Sequence, residues 1–221
     1  MGLIELIGII LTLFGGYLLY AYITFRENQY KGIKAFFAVK KQNRALIYTV
    51  IIMMLAIIIG GYGRYMNDYS AVQCYLNIAM FLLLAAMAWV DFKEKIIPNQ
   101  LILVGLALWG VEVLLEIFLF HTDIKMVLLF SALGGGVWGG LLVLIALVVK
   151  TALGMGDAKM FFVIGLIYGL NNTYSILLVS LFIMAVVSII LLLLRKVNRK
   201  SSVPMAPFVL GGFALCIFLG M

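Results

Sequence analysis

Two aspartates stand where short patterns interrupt an otherwise apolar chain. Asp91 ends the run Ala88-Trp89-Val90 and is followed by Phe92-Lys93-Glu94-Lys95-Ile96-Ile97-Pro98-Asn99. Asp157 lies in Gly154-Met155-Gly156-Asp157-Ala158-Lys159, just before the next apolar run. Each sits beside residues that interrupt helices, a proline in one case and glycines in the other. Two carboxyls in one site cannot both ionise easily, so one stays charged and one keeps its proton. The charged group activates water as a general base, and the protonated one polarises a scissile carbonyl. That is peptide hydrolysis without a metal or a covalent intermediate. The same residues fit equally well as interfacial helix caps or salt-bridge partners, with Lys93 and Lys159 close by.

A second acidic pair points elsewhere. Glu112 and Glu116 are four apart, so on a helix they share one face. Inside a membrane span such a pair suggests a functional site. They lie toward the outer end of their span, where water and snorkelling relieve them. They support a competing reading, a small membrane transporter or channel. The other acids need no special account: Glu5, Glu27, Asp68 and Asp123 fall at span ends or in loops, and Glu94 lies between Lys93 and Lys95. Cys74 and Cys216 lie in apolar runs without a CxxC spacing, and His121 sits alone in a short loop, so no metal site is expected.

The elements that must position these groups follow from composition. The chain has 221 residues, 66% of them hydrophobic and only 11% charged. Its mean hydropathy is +1.20. An average soluble domain carries roughly 25% charged residues. These values exclude a soluble globular domain, a disordered chain and a nucleic-acid binder. The composition predicts an all-α polytopic membrane protein, one transmembrane domain over 1–221, with no sizeable soluble domain. A spanning helix needs about 20 apolar residues. The expected spans are about 3–25, 45–65, 72–90, 99–120, 125–150, 159–170, 173–194 and 207–221, eight if each crosses. The first lacks a basic n-region, so it reads as an uncleaved span with its N-terminus outside.

Charge then orients the chain. With the N-terminus outside, the inside segments are 26–44, 91–98, 150–159 and 195–206. Every Lys and Arg except Arg64 and Lys125 falls in them. The positive-inside rule asks for that asymmetry. The stretch 26–44 holds Arg26, Lys31, Lys34, Lys40, Lys41 and Arg44 and reads as a basic cytoplasmic loop on the lipid headgroups. In the fifth span, Gly135/Gly139 and Gly136/Gly140 are small-xxx-small pairs that let another helix approach closely.

Gly154-Met155-Gly156-Asp157-Ala158-Lys159 resembles the GxGD signature of intramembrane aspartyl proteases, in the form found in type IV prepilin peptidases. The segment from Asp91 to Asn99 is similar to that family's first catalytic segment, an Asp followed by basic residues and Ile-Pro-Asn. Val203-Pro204-Met205-Ala206-Pro207-Phe208 is similar to its late Pro-containing segment. The motifs cover roughly 72–221. The resemblance implies that Asp91 and Asp157 are the catalytic pair. Gly154, Gly156, Lys159, Pro98 and Asn99 support the motif, with Gly154 and Gly156 shaping the loop that presents Asp157. Pro98 and Asn99 start the fourth span. Pro204 and Pro207 keep extended backbone near the site for a substrate strand, or are purely structural.

The resemblance further implies an endopeptidase of the cytoplasmic membrane, acting in pilus biogenesis and protein secretion. Its partners are the bilayer and pilin-like precursors, each a basic leader followed by a hydrophobic helix. They are cut at the cytoplasmic face, without a cofactor or metal. Longer relatives insert a domain with zinc-binding cysteine pairs between spans one and two and also methylate the product. Here only 26–44 stands in that place, without cysteine. The resemblance is therefore to the short, peptidase-only form. A presenilin-like protease also carries GxGD but is expected to have a Pro-Ala-Leu segment, which Met205-Ala206-Pro207-Phe208 does not match.

Overall fold

The computed structural model describes residues 3–27, 43–148, 154–195 and 203–220. Among them run seven helices: α1 Leu3–Glu27, α2 Asn43–Met66, α3 Ala71–Glu94, α4 Asn99–Phe120, α5 Ile124–Val148, α6 Met155–Leu193 and α7 Ala206–Leu219. No strand occurs among the described residues. Five helices, α2 to α6, are long and apolar enough to cross a membrane. The chain is an all-α, multi-pass membrane protein. Most of the basic stretch assigned to 26–44, residues 28–42 with Lys31, Lys34, Lys40 and Lys41, lies outside the described residues.

Helix α3 is the centre of the bundle. Its start is fixed by a capping box: the Gln73 N–H donates to Ser70 Oγ at 3.2 Å, and the Ser70 N–H donates to Gln73 Oε1 at 2.9 Å. From Met80 to Ala88 every side chain is buried. A helix that is apolar all round belongs inside a bundle. Helices α1, α2, α4 and α7 pack around it. At its far end Lys95 turns left-handed, at φ 55°, and ends the helix just past Asp91.

Helices α5 and α6 meet backbone to backbone. A Cβ added at Gly134 would overlap the Gly165 carbonyl oxygen, and one at Gly139 would lie 2.7 Å from Phe162 Cβ. Small residues permit this approach, which maximises van der Waals contact where lipid supplies no hydrophobic drive. Of the two predicted glycine pairs, only Gly135/Gly139 is used. Gly136 and Gly140 face open space, because four-residue spacing alone does not say which helix face meets a neighbour.

The predicted sixth and seventh spans lie on the one helical run α6, broken at Gly169. There φ is 69° and ψ is −168°, a conformation open to glycine alone. An unbroken helix would carry Ser180 roughly 35 Å beyond Asp157. Instead Ser180 packs against Gly212, where an added Cβ would sit 2.9 Å from the Ser180 nitrogen. Gly212 is within two turns of Ala206, whose N–H binds Asp91. The chain therefore reverses at Gly169, and 170–193 runs back toward the aspartates. Trp138 bridges the bend, its Nε1 donating to the Leu170 carbonyl at 2.8 Å.

Candidate active site

Four helix ends converge at one end of the bundle: the C-terminus of α3 and the N-termini of α4, α6 and α7. Asp91 occupies the last turn of α3 and is 5% exposed. Its Oδ2 accepts a 2.9 Å hydrogen bond from the Ala206 N–H, the first residue of α7. The Met205 backbone adds a second such interaction. Opening N–H groups of a helix have no partner within it, and they suit a carboxylate. Pro207 follows in that first turn, where the missing N–H costs nothing. It is thus helical, and the expectation of extended backbone at Pro207 is corrected. Pro204 lies outside any helix.

Asp157 arrives from the other side. It was expected in a glycine loop, but α6 already begins at Met155, which puts Asp157 in the first turn. Gly154 is the cap residue, with φ −76° and ψ 143°. Its carbonyl accepts from the Asp157 N–H at 3.1 Å. The Asp157 carboxyl reaches back to the Gly154 backbone N–H, half of a capping box. A Cβ at Gly154 would lie 3.1 Å from Asp157 Oδ2. Gly156 serves contact rather than loop shape: an added Cβ there would come to 3.0 Å from Ile97 Cβ. The 95–98 connection can therefore lie directly on the start of α6. Asp91 and Asp157, 66 residues apart in sequence, are close enough to interact electrostatically across this mouth.

The supporting residues fall around the pair. Asn99 is the first residue of α4, while Pro98 stands just before it with ψ 136°, a cap rather than a helical residue. Lys159 Nζ donates to Asn99 Oδ1 at 2.9 Å. Lys93 lies 4.4 Å over the Trp89 ring. Sequence reasoning placed Arg26 in a basic loop and missed its partner. The Arg26 Nε and Nη2 donate to the two Glu94 carboxylate oxygens at 2.7 and 2.6 Å. That bond ties the end of α1 to the end of α3. Glu94 was assigned to its neighbours Lys93 and Lys95, since no local signal marks a partner 68 residues away. The Ala206 N–H was likewise invisible, because backbone donors carry no residue type.

Glu112 and Glu116 do not join this site. Glu112 is thirteen residues along α4 from Asn99, roughly 20 Å away along the axis. The two glutamates line cavities of about 360 and 450 Å³ at the opposite end of the bundle. Glu116 Oε2 accepts from Thr122 Oγ1 at 3.1 Å.

A family model described as the type IV leader peptidase family matches residues 78–189. The match takes in both aspartates and both glycines of the α6 start. No curated protein and no solved structure matches the chain.

Proposed function

The chain belongs to the type IV leader peptidase family, and from that membership we propose that it is an aspartic endopeptidase. It removes the leader from pilin-like precursors at the cytoplasmic face of the membrane. Membership makes the protein a peptidase; the residues make the finer reading. One arrangement carries it: Asp91 in the last turn of α3 and Asp157 in the first turn of α6 come to a single mouth, where the 95–98 connection lies on Gly156. One carboxylate takes a proton from water, and the resulting hydroxide attacks the scissile carbonyl carbon. The other carboxyl gives its proton to the carbonyl oxygen. Proton return to the leaving nitrogen then releases leader and mature helix. Burial of Asp91 and its seat on the α7 backbone hold it in one geometry, which a two-carboxyl mechanism needs.

The topology proposed is eight crossings with the N-terminus outside. The reversal at Gly169 supports it by making two limbs of α6. So does charge: Arg26, Lys93, Lys95 and Lys159 cluster at the aspartate end, with Arg64 and Lys125 at the other. The aspartates then face the cytoplasm, and the membrane is the cytoplasmic one. The role is pilus biogenesis or a related secretion system, without product methylation.

The deciding experiment uses purified protein in lipid with a pilin precursor and mass spectrometry of the products. A single leader cut, without added methyl and lost in both Asp91→Asn and Asp157→Asn, supports the reading. An undiminished cut in either variant overturns the aspartate assignment.

A further inference from the structure

A long apolar slot runs down one side of the bundle to the mouth. Its floor is α3 and its walls are α1 and α4. Both walls pack on α3, and among the described residues they do not touch each other. The slot encloses about 710 Å³. Its lining runs from Val72 to Ala86 on α3 and from Leu101 to Leu115 on α4. Each stretch is fifteen residues, roughly 21 Å of rise from end to end, most of a hydrocarbon core. The inner end is next to the chemistry: Ala86 is five residues before Asp91, and Leu101 two after Asn99.

The α4 wall has the pattern of a helix-helix seam. Leu101, Val104, Leu108, Val111 and Leu115 all line the slot. They recur at spacings of three and four, the repeat that two helices share when knobs enter holes. The seam is unfilled, with Val104 49% and Val111 48% exposed. On the floor, Ala79 and Ala86 are seven apart on the same face and small enough for a second backbone to come close. Acyl chains need no such repeat. A helix does, and this one would end at the aspartates.

We propose that this slot is the docking site for the hydrophobic helix of the precursor. It rests on the peptidase reading and adds where the substrate lies. The helix packs against the α4 seam and the α3 floor. Its cytoplasmic end, where the leader joins, then reaches Asp91 and Asp157 without unwinding inside the bilayer. A flat face suits a symmetric pair of copies, whereas this recess between two walls takes one helix.

The test places a photo-crosslinking residue at Leu18, Val104 or Leu108, and at Leu144 or Leu147 on the exposed side of α5 as controls. The chain carries Asp157→Asn, so bound precursor is not turned over. Precursor and protein are mixed in lipid vesicles, illuminated and read by mass spectrometry. Slot positions are expected to give about tenfold more precursor adduct than the controls. Equal yields, adducts to lipid alone, or adducts to a second copy of the chain overturn the proposal. In a chain with both aspartates, Val104→Trp is expected to lower kcat/KM for the precursor about tenfold, and Leu144→Trp to leave it unchanged. Cleavage by the unsubstituted chain is scored separately: cleavage without slot adducts overturns the docking alone, and no cleavage overturns both readings.

Discussion

Lys159 Nζ donates to Asn99 Oδ1 at 2.9 Å, joining the opening turns of α6 to the first residue of α4. The bond crosses the mouth beside both aspartates and is exposed, so it contributes about 1 kcal/mol at most. Its value lies in alignment. Lys159→Met and Asn99→Ala are each expected to slow precursor cleavage about tenfold, with melting temperature nearly unchanged. The double variant should be no slower than the worse single one, because the two residues make one bond. Additive losses in the kinetic cycle would show that they act separately.

The aspartates should behave as one unit. Asp91→Asn or Asp157→Asn is expected to reduce cleavage at least 100-fold, roughly the worth of one positioned acid or base. The protein should still insert and elute as the unsubstituted one does. With both aspartates present, kcat/KM should fall at low pH, where the base is protonated, and at high pH, where the acid has lost its proton. A rate that climbs to a plateau with no alkaline limb would argue against a shared pair.

Gly156 is expected to be intolerant because of Ile97. In Gly156→Ala the new methyl meets Ile97 Cβ at 3.0 Å, which forces the 95–98 connection outward. Overpacking of this kind costs about 1–3 kcal/mol. Cleavage should drop with it. Ile97→Gly in the same chain, which removes that Cβ, should recover part of the lost rate, read by the cleavage assay against Ile97→Gly alone. No recovery would mean that the glycine matters for backbone freedom instead.

The glycines of α5 divide into two classes. Gly134→Val should disrupt the α5–α6 contact, since its side chain would overlap the Gly165 carbonyl and Gly169. A loss of about 3 kcal/mol or failure to fold is expected. Gly136→Ala and Gly140→Ala meet nothing within 4 Å and should be neutral or slightly stabilising. Unfolding in mild detergent distinguishes them.

Glu112→Gln and Glu116→Gln should leave cleavage within about twofold, because the glutamates lie roughly 20 Å from the mouth along α4. A larger loss, or an ion flux in proteoliposomes that depends on either glutamate, would bring back the transport reading.

Both aspartates, the glycines beside them and the prolines could be read from residue order, because motifs of this kind are local. Most helix limits could be read too, since a bilayer demands long apolar runs and basic loops between them. Two glycine pairs at the same spacing looked alike until packing used one of them. Two expected spans became the limbs of one broken helix.

Composition and local pattern alone determined that the chain is a helical membrane protein and which carboxyls to examine. Hydropathy and short motifs act over a few residues and survive without a fold. Only the tertiary structure decided that Asp91 rests on the Ala206 N–H, that Arg26 holds Glu94 and that Ile97 lies against Gly156. Each of these contacts joins groups far apart in the chain. Their energy exists only after the helices have packed, and backbone donors leave no mark in the sequence.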